Sequence, residues 1–196
     1  MEHQIELMRL DGTSVYLKAA ILLILVTVAA GLDLKSRRIP NWLVLVGLVA
    51  SLILQITFSS FNSFHSFKDW GYGLLVGFGL FLPLYLLRAM GAGDVKLMAM
   101  VGSFLGPASA LGAVLTTLVA GGMLAIVVAL FSGVLLQTIA NIRTVLTLGM
   151  YKTLTGGGIH LEAMPASAGS LPYAVAIAVG TLIHVILLTQ GRPIFS

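Results

Sequence analysis

An all-α integral membrane protein of about six transmembrane helices is the fold class this chain predicts, and three observations predict it. Hydrophobic residues fill 58% of its 196 positions and charged residues only 9%, against about 25% charged in a soluble domain, so water could not solvate such a surface. Mean hydropathy is +1.04. The apolar residues also come in runs close to the roughly 20 residues that cross a hydrocarbon layer of about 30 Å.

The first run, residues 15–32, follows a stretch in which Glu2, Glu6 and Asp11 accompany Arg9. A cleavable signal has a basic leader and a shorter apolar core, so this run is expected to stay as the first span, residues 14–32, behind a short N-terminal segment 1–13. Further spans are expected at residues 42–58, 70–90, 95–106, 108–131 and 171–189. The fourth is short: it crosses fully only if Asp94 and its neighbours lie within the membrane zone or if the helix runs on past Pro107, and otherwise it is re-entrant.

Between the last two spans, Leu135, Ile139, Ile142 and Leu146 recur at helical spacing with Gln137, Asn141 and Thr144 on the other side, the pattern of a cytoplasmic amphipathic helix lying in the interface. Residues 151–170, with Gly156, Gly157, Gly158 and Pro165, read as a loop. The expected organisation is one membrane-embedded domain over residues 1–196, with 132–170 supplying the amphipathic helix and the loop.

The chain has no cysteine, and its four histidines, His3, His65, His160 and His184, are scattered without ligand spacing. Thiol chemistry is excluded and neither a metal nor another cofactor is expected. His184, inside the last span, is expected to be a hydrogen-bonded packing residue rather than part of a proton path. The net charge of +4 comes from basic residues beside apolar runs, where they hold topology against a lipid surface rather than bind nucleic acid.

With the N-terminus outside, Lys35, Arg37, Arg38, Arg88, Lys96, Arg143 and Lys152 fall on the inner side and Arg9, Lys18, Lys68 and Arg192 on the outer. The inner excess of basic residues favours this orientation. Three alternating spans then carry Asp33, at the end of the first, and Asp94, at the start of the fourth, to the same membrane face.

Asp33 and Asp94 are acids at the edges of these apolar runs, and an ionisable group near a bilayer core costs about 2.5–3.5 kcal/mol even on insertion scales, which marks such groups as functional by default. Two adjacent carboxylates share a proton, so that one activates water while the other donates to a carbonyl or leaving amine. That is amide hydrolysis without metal or covalent intermediate. Gly91 and Gly93 free the backbone before Asp94 and leave room for an extended peptide. Lys96 is either a topology anchor or an electrostatic partner of the pair. The competing structural reading has Asp33 paired with Arg37 one turn on and Asp94 acting as a helix cap. The pairs Gly73 with Gly77 and Gly102 with Gly106 have the spacing that lets helix backbones approach.

The string Gly91-Ala92-Gly93-Asp94-Val95-Lys96-Leu97, preceded by Asp33-Leu34-Lys35-Ser36-Arg37-Arg38-Ile39-Pro40-Asn41, resembles the type IV prepilin leader peptidases, membrane aspartic proteases of the GxGD class. The closing Leu171-Pro172-Tyr173-Ala174-Val175-Ala176-Ile177-Ala178 resembles the start of that family's last span. The resemblance implies a multi-pass protein of the bacterial inner membrane that cuts the basic leader from prepilin or pseudopilin precursors at the cytoplasmic face. It implies Asp33 and Asp94 as catalytic residues and Gly91, Gly93 and Lys96 as motif positions. The cysteine-bearing N-terminal domain of the long bifunctional members has no counterpart, so the chain resembles the short Flp/Tad-type peptidases and methyltransferase activity is not expected. Two other classes compete: a proton-coupled transporter or channel with the two aspartates as a relay, and a non-catalytic scaffold for pilus assembly. Oligomeric state is not legible.

Overall fold

A computed structural model describes residues 2–58, 63–87, 89–131 and 172–190, with side chains from residue 14 in the first stretch and from residue 67 in the second. The described residues are helical, in the order α1 (Glu2–Ser36), α2 (Asn41–Phe58), α3 (Ser63–Leu86), α4 (Ala92–Leu105), α5 (Pro107–Phe131) and α6 (Tyr173–Thr189). The protein is an all-α membrane protein: α1, α2, α3 and α5 contain stretches long and apolar enough to cross a bilayer, and α6 is a shorter apolar helix. The expected amphipathic helix and loop at 132–170 lie outside the described residues. Helix α1 begins at Glu2, so much of the expected N-terminal segment is a continuation of the first span's helix.

The chain divides into two compact units, residues 1–121 with 172–196, and residues 122–171. The described part of the second is the distal end of α5. All the packing below belongs to the first.

Helix α4 is its centre. It has 14 residues, about 21 Å at about 1.5 Å each, and it stops before Pro107 rather than running through it. Gly106 takes a φ of +79° there, a conformation that glycine enters without a Cβ clash, and its N–H donates to the carbonyl of Gly102 at 2.9 Å. Pro107 then starts α5 as a first-turn residue, where its missing N–H costs nothing.

Ten residues of α4 are buried, from Asp94 and Val95 through Phe104. Helix α3 reaches it through glycine. A Cβ on Gly73 would lie 2.2 Å from the carbonyl oxygen of Gly102, and one on Gly77 would lie 2.3 Å from that of Met98, so the two backbones touch with no side chain between them. Both expected small-residue pairs serve this seam, whereas a Cβ on Gly71 or Gly79 would meet nothing within 4 Å.

Polar contacts tie α2 into the same seam. The buried hydroxyls of Ser51 on α2 and Ser103 on α4 lie 2.9 Å apart, and the Trp70 indole of α3 donates to Ser51 Oγ at 2.8 Å. In an apolar interior each such group needs a partner, and here three helices supply them to one another. Leu22, Val26 and Ala29 of α1 and Ala174 and Ile177 of α6 complete the buried core around α4.

Helix α6 meets α5 closely as well: Thr116 Oγ1 donates to the carbonyl of Gly180 at 2.9 Å. His184 is fully buried over Gly112. The expectation of a hydrogen-bonded histidine does not hold, because among the described residues neither ring nitrogen has a partner; Gly112, against which the ring lies, has no side chain to offer it.

Candidate active site

Helix α1 closes with Asp33 in its last turn. The Arg37 N–H donates to the Asp33 carbonyl at 2.8 Å, and Arg37 takes a φ of 53°, the left-handed conformation that ends many helices. Pro40 then precedes α2 at Asn41.

Gly91 precedes α4 in an extended conformation, φ −82° and ψ 158°, leaving Asp94 in the third helical position. Its Oδ2 accepts the Gly91 N–H at 2.9 Å, satisfying a donor that the helix start would leave free. Asp94 therefore does cap its helix, as the structural reading expected, and it does so with one carboxylate oxygen.

Each aspartate is only 8% exposed. They stand at the ends of different helices, and Asp94 feels the charge of Asp33. Asp94 lies ahead of the apolar run that begins at Val95, and its carboxyl is pushed up to about 6; burial is the largest cause and Asp33 adds to it, while the Gly91 N–H works the other way. Burial removes the water that would stabilise the carboxylate, and a second acid disfavours another negative charge.

Three contributors were not found from sequence. The Ala174 N–H, in the first turn of α6, donates to Asp33 Oδ2 at 3.4 Å, so a helix start, with its partial positive charge, faces this carboxylate. Tyr173 beside it is within electrostatic reach of Asp94. The third is Ile39: a Cβ on Gly93 would lie 3.2 Å from the Ile39 side chain, so the loop after α1 leans on the glycine before Asp94. An isolated apolar residue in the basic stretch Lys35–Asn41 was the signal available for it, and Pro172 before an apolar run was the signal for α6.

The motif glycines fall at the same end, Gly91 exposed and Gly93 half-buried. A Cβ on Gly91 would come within 3.4 Å of Asp94 Oδ2. Lys96 is exposed, and its Nζ donates to Asn41 Oδ1 at 3.0 Å. It joins the start of α2 to the first turn of α4.

A helical membrane protein with two electrostatically coupled, buried carboxylates at helix ends is the class that fold and site define. Residues 20–126 match the model of the type IV leader peptidase family, more than half of the chain and both aspartates included, and the chain belongs to that family. It is a membrane peptidase, and its family implies prepilin-like substrates. No curated protein and no solved structure matches it. The match ends before residues 171–178, whose likeness to the family's last span is not part of it.

Proposed function

We propose that this chain is an aspartic endopeptidase that removes the leader of type IV prepilin-like precursors at the cytoplasmic face of the bacterial inner membrane, with Asp33 and Asp94 as its catalytic pair. The observation that carries this reading is the burial, at the ends of different helices, of two aspartates drawn from distant parts of the sequence, Asp94 within electrostatic reach of Asp33. Nothing in packing alone calls for it, because burying two neighbouring acids is costly.

The environments suggest the division of labour. Asp94, whose carboxyl is pushed up to about 6, carries the shared proton and acts as the acid; Asp33, facing the start of α6, acts as the base. Water attacks the scissile carbonyl carbon, giving its proton to Asp33 as Asp94 protonates the carbonyl oxygen. The tetrahedral intermediate collapses when the proton on Asp33 passes to the leaving nitrogen and the new hydroxyl returns one to Asp94.

Gly91, exposed and without a side chain, leaves room for an extended peptide beside Asp94, whereas the space over Gly93 is taken by Ile39. Lys96 is assigned to holding α2 and α4 together, on the strength of its bond to Asn41. The cytoplasmic orientation rests on the basic excess at the aspartate end.

The test is cleavage of a prepilin with its leader intact by purified protein in detergent. The parent should cut it, and Asp33→Asn and Asp94→Asn, which keep size and remove the titratable group, should not. Continued cleavage by either variant removes that residue from the mechanism.

A further inference from the structure

The end of the bundle away from the aspartates holds a cavity of about 360 Å³, within the roughly 300–1,000 Å³ common for ligand pockets. Its apolar wall includes Val15, Leu22, Phe104 and Leu188, and its polar groups are Lys18, Gln55, Ser109 and Thr189. Lys18 precedes Asp33 on α1 by about 22 Å of helix, so this is a second place on the molecule.

Lys18 is a half-buried cation on the first membrane span, and the partner it has is neutral: its Nζ donates to Gln55 Oε1 at 2.8 Å. An ammonium has three protons to give, so among the described residues two are left, along with the amide N–H groups of Gln55. Among the described residues no carboxylate lines the cavity. A cation in an apolar setting ordinarily faces an opposite charge, and among the described residues none faces Lys18 here.

We propose that this cavity binds an acidic phospholipid, its phosphate held by Lys18 and Gln55 and part of an acyl chain lying along Leu22, Phe104 and Leu188. The Lys18 ammonium and the Gln55 amide are donors suited to an anionic phosphate ester, whereas the Thr189 hydroxyl is already given to the Ile186 carbonyl. The apolar wall distinguishes a lipid from free phosphate, because inorganic phosphate gains nothing from it. A zwitterionic lipid would offer the same chain without the net charge.

Native mass spectrometry of the full chain, released from mixed micelles of phosphatidylglycerol and phosphatidylcholine, tests this. One basic residue near a membrane surface is worth about a fivefold preference for acidic lipid. The parent should retain phosphatidylglycerol by about that ratio, Lys18→Arg should keep it, and Lys18→Met should abolish it. Leu188→Trp, which narrows the cavity and leaves the cation in place, should lower retention of both lipids. An unchanged preference in Lys18→Met, or displacement of the lipid by millimolar inorganic phosphate alone, overturns the proposal. The Asp33→Asn, Asp94→Asn protein should behave as the parent does, which separates this result from any outcome on peptidase activity.

Discussion

Helices α4 and α5 follow one another across a single glycine, and they use apolar residues in opposite ways. Helix α4 buries ten of its 14 residues, whereas α5, longer and more uniformly apolar, buries six of its 25. Leu118, Val119, Met123 and Leu130 of α5 are exposed and suited to lipid. In a membrane the apolar side chain has no reason to turn inward, because lipid tails are as apolar as leucine; what selects the interior is close packing by small residues and partners for polar ones. Helix α4 supplies these with Gly102, Ser103 and Asp94.

The sharpest test of the comparison lies at the polar start of α4. Asp94→Asn should reduce prepilin cleavage by at least about 10²–10⁴-fold, the range for loss of a positioned acid or base, with helix content by circular dichroism unchanged. On α5, Val119→Asn should leave cleavage within about twofold. A loss of folding in Asp94→Asn would show that the residue serves α4 as a cap first.

Packing gives the next largest effect. Gly77→Leu drives a side chain into the Met98 carbonyl and should cost at least the roughly 1–3 kcal/mol of overpacking, whereas Val119→Leu on the lipid side should stay within about 0.5 kcal/mol. Denaturation in mixed micelles reads both. Equal losses would erase the distinction between the two helices. Ser51→Ala strips the Trp70 N–H of its acceptor and should cost about 1–3 kcal/mol.

A smaller effect concerns pH. The Asp94 carboxyl is pushed up to about 6, so its proton is lost as pH rises through that value, and cleavage should fall on the alkaline side. The sign for stability is the same: a carboxyl raised in the folded state favours folding below its ordinary value and loses that contribution as pH rises through about 6. A rate flat from pH 5 to 8 would separate Asp94 from the rate-limiting step. Because burial is the larger cause, Asp33→Asn should lower the Asp94 titration midpoint only modestly, measured by carboxyl infrared absorption.

Much of this was legible beforehand, and the misses share a cause. Long apolar runs gave α1, α2, α3 and α5, because length and hydropathy are what lipid demands. Chain parity gave the expectation that Asp33 and Asp94 share a membrane face, and Asp94 is within electrostatic reach of Asp33. The small-residue spacing marked the α3–α4 seam, since only Gly73, Gly77 and Gly102 permit the approach. Lys96 stayed undecided because its partner, Asn41, is remote in sequence. Ala174 entered the site through its backbone N–H, which every residue but proline has. His184 misled because burial was expected to bring a hydrogen bond, and the ring lies against Gly112 instead.

The glycine seam has a mechanical consequence. Two backbones pressed together without intervening side chains have no rotamers to exchange, so α3 and α4 should travel as one plate. Any widening that admits a peptide between the acids must then come from α1 or α6, the helices that hold Asp33 from either side. Spin labels on α1 and α4 should separate when substrate is added, while a pair on α3 and α4 keeps its spacing; movement in the second pair would identify a different hinge.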